Sequence, residues 1–201
     1  FKVNEDEYKV MGLAPFGKNL YQEKILDNLI TVKSDGSFQM NMKYFNYTTG
    51  FTMTNKKFST LFGHKVREKD EKITKFHMDL AASIQKVIKI ILMKICVYIK
   101  KNYNSENLCI AGGVALNCVA NGIIKKNNIF KNIWIQPASG DAGGALGCAY
   151  GFYYQHLENI RKINPSDSMK RAYLGPNYTN NEIEDFYKKS FIEYTKYDDQ
   201  K

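Results

Sequence analysis

Two stretches of this 201-residue chain constrain its fold more than any others: "LCIAGGVALNCVANG", Leu108 to Gly122, and "IWIQPASGDAGGALGCAYG", Ile133 to Gly151. Each is an apolar run that breaks into glycines and resumes as a small-residue helical pattern. Leu108-Cys109-Ile110 and Ile133-Trp134-Ile135 read as buried strands, Gly112-Gly113 and Ser139-Gly140 as turns, and Leu116 to Lys126 and Asp141 to His156 as helices. Strands alternating with helices through short loops predict an α/β domain.

The remainder supports that core. Tyr21 to Ile30 reads as a helix, and Asp35-Gly36 between two strand-like runs is a hairpin signal. From about Asp70 to Lys101, Leu80, Ile84, Val87, Ile88, Ile91, Ile95 and Tyr98 recur at three- and four-residue steps, one face of a long amphipathic helix with lysines toward its C-terminal end. The Thr-rich stretch from Tyr47 to Phe62 has no clear periodicity and is expected at the surface or at a substrate face. After about Asn164 the character changes: Pro165, Pro176 and a capping signal from Thr179 to Glu182 suggest a linker entering a new unit.

At 44% hydrophobic and 24% charged residues the composition is that of a globular protein. The net charge of +9 comes from lysines scattered along the chain. Solvated helix faces account for that pattern, whereas single-strand nucleic-acid binding calls for basic residues interleaved with aromatics, so nucleic acid is not the expected partner. Cys96, Cys109, Cys118 and Cys148 form no C-x-x-C pair and sit in apolar contexts, which points to free thiols in a reducing cytoplasm. The most apolar segment, Ile84 to Ile99, carries Lys86, Lys89 and Lys94 and does not read as a membrane span. Phe1, where a start methionine would stand, suggests a fragment of a longer protein.

The glycine turns admit more than one chemistry. A strand feeding "GGVALN" sets backbone N–H groups at a helix N-terminus, where an anion such as phosphate is favoured, and a tight turn that needs glycine for its backbone explains the same residues. Neither a Walker loop nor a G-x-G-x-x-G fingerprint is present. Asn117 adds an amide able to reach a ribose hydroxyl or a phosphate oxygen. Gly143, Gly147 and Gly151 share one helix face at a cost of about 3 kcal/mol relative to alanine, which close packing would have to offset. Asp141 is either the N-cap of that helix or a metal ligand.

In order along the chain, "EYKVMGLAPFG", "HMDLAASIQ", "AGGVALNCVANG", "IWIQPASGDAGGALG" and "YLGP" resemble the signature blocks of the O-carbamoyltransferases of the nodulation protein U and cephalosporin or tobramycin carbamoylation type. The resemblance implies the second lobe of an actin-like (ASKHA, RNase H-like) catalytic domain over residues 1–170, and over 171–201 a linker and the start of a YrdC-like C-terminal domain. It implies transfer of a carbamoyl group from carbamoyl phosphate, through a carbamoyl-adenylate made with ATP, to a hydroxyl of a small molecule. Position by position, Gly112, Gly113 and Asn117 would hold the nucleotide, with Gly143 beside them. Glu7, Lys9 and Gly17 would border it, and Asp141 would bind a divalent metal, iron or magnesium. No catalytic residue is assigned. The family's H-x-x-x-H metal pair is not found here; His64, His77 and His156 lack that spacing, and His77 reads as a helix-surface residue. The expected partners are therefore the missing N-terminal lobe and C-terminal domain, without which this piece would be inactive. A nucleotide-binding module without transfer activity and a relative of the tRNA threonylcarbamoyl-transfer protein are the alternatives.

Overall fold

A computed structural model describes residues 6–164, 166 and 169–197; Phe1 and Pro165 lie outside them. The chain divides into two compact units, one ending at Tyr150 and one beginning at Gly151.

In the first unit much of the fold is organised on one helix. The order is α1 (Glu7–Leu13), a 3-10 turn (Ala14–Phe16), α2 (Gln22–Asn28), β1 (Ile30–Val32), β2 (Phe38–Met40), α3 (Lys56–Phe62), α4 (Lys75–Asn102), β3 (Asn107–Ile110), a 3-10 turn (Gly113–Leu116), α5 (Cys118–Lys126), β4 (Asn132–Ile135), a 3-10 turn (Asp141–Gly143) and α6 (Gly144–Tyr150). With 28 residues, α4 is about 42 Å long. Most of its predicted stripe is present: Leu80, Ile84, Val87, Ile91 and Ile95, joined by Phe76, pack with Ile25, Leu29, Ile30, Tyr44 and Phe62 from α2, β1, the 3-10 turn Met42–Tyr44 and α3, while Ile88 lies outside that cluster. Tyr98, predicted on that stripe, is exposed.

A second apolar face, which the single-stripe reading missed, carries Leu92, Met93, Cys96 and Ile99 against Leu108, Ile110, Ile124, Phe130 and Ile133. The helix is thus covered on both sides, and a side chain that is completely buried there, such as Ile124, contributes about 1.5–3 kcal/mol, the partly buried ones less.

β1 and β2 form the expected antiparallel hairpin, Ile30 opposite Met40. Its turn is closed by Asp35, whose Oδ1 accepts from the Ser37 N–H at 2.9 Å and the Ser37 hydroxyl at 2.7 Å. In the second half β3 and β4 are parallel, Leu108 beside Ile133 and Ile110 beside Ile135, joined through α5 as the strand–helix–strand pattern requires. Neither is the buried strand expected: one face is half-buried and the other, with Cys109 and Trp134, is exposed. Mixed helices and small sheets make the unit α/β.

One element was not foreseen. α3 lies inside the Thr-rich stretch, with the Asn55 side chain accepting from the Lys57 N–H at 2.9 Å at its start and Gly63 in the left-handed conformation at its end. Both cap residues are legible in the sequence once the helix is known. The cysteines also differ from expectation: all four are free, but only Cys96 is buried.

In the second unit a π-helical turn (Gly151–His156) and α7 (Asn180–Lys189) are the main elements. The predicted capping box is present, with Glu182 Oε2 accepting from the Thr179 N–H at 2.7 Å and the Glu182 N–H donating to Thr179 Oγ1 at 3.3 Å. α7 buries no residue. Among the described residues no helix is long and apolar enough to cross a membrane.

Candidate functional site

The parallel pairing brings the two glycine turns side by side. Gly112 follows β3 and donates its backbone N–H to the Ser139 carbonyl, in the loop after β4, at 2.8 Å. Gly140 stands against Gly113 on the other side of this junction, with room for a Cβ only at van der Waals distance from the Gly113 Cα. Gly112 and Gly113 are exposed, and the space a Cβ would take at either is open. Between the turns, Ser139 is buried and its hydroxyl has no hydrogen-bond partner.

Asn117 ends the first turn and caps α5: its Oδ1 accepts from the Ala120 N–H at 3.0 Å. The same amide pairs reciprocally with Gln85 of α4, Nε2 donating to Oδ1 and Nδ2 donating to Oε1, both at 3.0 Å. Gln85 is only 4% exposed. Sequence reasoning did not single it out; the legible signal was an amide placed among apolar residues of the helix.

Asp141 is the first residue of its 3-10 turn, and Gly140 rather than Asp141 occupies the N-cap position. The Asp141 side chain is exposed and makes no cap hydrogen bond, so the capping role is not the one it plays. A Cβ on Gly143 would run into the Ala138 carbonyl, which gives that glycine a steric reason of its own. Nothing presses on Gly147. Close packing against the glycine face of α6, which would offset its helical cost, is therefore not supplied within the described residues of this unit.

The first block meets the N-terminal part of the same helix, α4. A side chain on Gly17 would collide with the Met78 carbonyl of α4. The Lys18 N–H donates to Asp79 Oδ1 at 2.6 Å, the Tyr21 N–H to Ser83 Oγ at 2.9 Å, and Lys75 Nζ to the Phe16 carbonyl at 2.9 Å. Asp79 and Ser83 are buried polar residues that the sequence reading missed. Glu7 is exposed in the first turn of α1, and Lys9 pairs with Asp6 at 2.6 Å. Met78 and Gln85 are seven residues apart on α4, so the Gly17 corner and the Asn117 turn meet one helix about 10 Å apart along its axis.

His77 lies near the Gly17 corner and closes the start of α4, its Nδ1 accepting from the Thr74 N–H at 3.0 Å. Burial, then the positive charge of Arg67 and the neighbouring His64, hold its pKa below the usual histidine value, with Glu71 opposing. Among the described residues no group of three or more His, Cys, Asp and Glu side chains gathers where a metal could be held. Asp141 alone is one carboxylate, and these residues do not by themselves make a metal site.

The fold defines an α/β protein whose two glycine turns are tied together just after two parallel strands. The chain belongs to the carbamoyltransferase family: residues 1–150 match the carbamoyltransferase N-terminus. It is 53% identical to an uncharacterized protein of Synechocystis sp. over 94% of this chain and 31% of that one. Nodulation protein NolNO of Sinorhizobium fredii is 30% identical over 85% of this chain and 23% of its own length. For nodulation protein NolO of Bradyrhizobium diazoefficiens the identity is 30%, over 87% and 29%. The chain thus spans less than a third of these relatives.

Proposed function

We propose that this chain is the nucleotide-facing part of an ATP-dependent O-carbamoyltransferase that moves a carbamoyl group from carbamoyl phosphate, through a carbamoyl-adenylate, to a hydroxyl of a small molecule. The observation that supports this most is the tie between the two glycine turns, Gly112 N–H to Ser139 carbonyl, in a member of the carbamoyltransferase family. Ligands of open parallel sheets lie beyond the carboxyl ends of the strands, and unpartnered N–H groups at a helical N-terminus favour phosphate.

In the transfer step the acceptor oxygen forms a bond to the carbamoyl carbon and the bond from that carbon to the adenylate phosphate oxygen breaks. AMP leaves with the electron pair, and the acceptor proton passes to a base outside the residues assigned here. The backbone donors around Gly113 and the Asn117 amide would offset the phosphate charge. Gly143 lines the second turn, and Glu7, Lys9 and Gly17 border the nucleotide. A divalent metal, iron or magnesium, would take Asp141 as one ligand and the rest from the N-terminal lobe.

In this reading residues 1–170 belong to the second lobe of an actin-like catalytic domain, and 171–201 lead into a YrdC-like domain. The protein is cytoplasmic, and this piece alone is inactive. The test uses the full-length protein with ATP, a divalent metal, carbamoyl phosphate and a panel of small hydroxylated acceptors. Conversion of ATP to AMP that requires carbamoyl phosphate is expected. Absence of that dependence overturns the reading, and tight, salt-sensitive tRNA binding would favour the threonylcarbamoyl-transfer relative instead.

A further inference from the structure

We propose that Gln85 is a positioning residue for the first glycine turn: through its amide pair it holds Asn117 so that Asn117 offers a ligand an N–H donor and no acceptor. The inference rests on the reading of that turn as nucleotide-facing.

The orientation follows from the hydrogen-bond inventory. The Ala120 N–H donates to one end of the Asn117 amide at 3.0 Å, so that end is the oxygen; turned over, the amide would set N–H against N–H. With Oδ1 placed, Gln85 has one way to meet it, Nε2 toward Oδ1 and Oε1 toward Nδ2, each at 3.0 Å. Both lone pairs of Oδ1 are then in use. What remains is the second N–H of Nδ2, on a residue that is half-buried. Such a group donates to a phosphate oxygen. It has no lone pair left for the proton of a ribose hydroxyl.

Gln85 has no solvent of its own to satisfy it. It is buried on α4 at 4% exposure, where an amide is costly unless it is hydrogen-bonded. Its two bonds reach across 32 residues of sequence to one side chain. The polar residue at 85 therefore serves Asn117 and not the core.

The experiment measures ATP binding by titration calorimetry and melting by calorimetry in the full-length protein, for wild type, Gln85→Met and Gln85→Glu. Gln85→Met is expected to melt cooperatively and to bind ATP at least tenfold more weakly. Gln85→Glu regains ATP affinity as pH falls, beyond any change in wild type, because a protonated carboxyl presents the same donor and acceptor as the amide and burial raises its pKa. A residue that only supports the core would change the melt without that pH-dependent affinity. Wild-type ATP affinity in both folded variants overturns the proposal. If Gln85→Met does not fold, Gln85→Glu at low and high pH decides in the same way. If the wild-type protein binds no ATP, the nucleotide reading falls. Positioning is then judged by hydrogen exchange of the Ala120 amide: faster exchange in a folded Gln85 variant supports it, and unchanged exchange overturns it.

Discussion

The Gly112 N–H donates to the Ser139 carbonyl at 2.8 Å, and this bond joins the turn after β3 to the loop after β4. Gly112 makes it from φ +93°, ψ 163°, a region that residues with a Cβ enter only under strain of about 1–3 kcal/mol. Gly112→Ala is expected to lower unfolding stability by that amount. Urea denaturation of the full-length protein checks it, and a wild-type midpoint contradicts it.

A different cause applies at Gly17, where the backbone passes against the Met78 carbonyl. Gly17→Ala forces the Phe16–Tyr21 segment away from α4 and costs on the order of 1–3 kcal/mol as an overpacking change. The same denaturation experiment reads this loss.

Ser83 is fully buried; its hydroxyl accepts from the Tyr21 N–H at 2.9 Å and donates to the Asp79 carbonyl at 2.7 Å. Ser83→Ala strands the Tyr21 N–H and is expected to cost about 1–3 kcal/mol. Hydrogen exchange at Tyr21 should quicken in this variant, which locates the loss.

At His77 the folded state disfavours the proton, because Nδ1 must stay free to accept from Thr74 and burial, Arg67 and His64 depress its pKa below 6.5. The unfolded chain binds that proton near pH 6.5 and the folded chain does not. Stability is therefore constant above this pH and declines as pH falls through it toward the lower folded value. His77→Gln, which keeps an acceptor and removes the titration, should flatten this part of a melting-temperature profile taken between pH 5 and 8.

Exposed and without a capping bond, Asp141 predicts a separation of effects. Asp141→Asn should change stability by no more than about 0.5 kcal/mol, while carbamoyl-phosphate-dependent AMP formation by the full-length protein drops at least tenfold. Retained activity would remove Asp141 from the proposed site.

Local pattern by itself determined most of the elements. Asp35-Gly36 marked the hairpin turn, the three- and four-residue steps from Leu80 to Ile95 marked α4, and Thr179 to Glu182 marked the start of α7, because turn and cap signals act over a few residues. The ordered blocks carried the family, and the glycine runs marked where strand gives way to helix. Tertiary structure decided the rest. It set a second apolar face on α4, left Cys109, Cys118 and Cys148 exposed, moved the cap from Asp141 to Gly140, and paired Gln85 with Asn117. Each of these depends on which surfaces meet across tens of residues, and a period of 3.6 or 2 says which way a side chain faces its own element but not what it will find there.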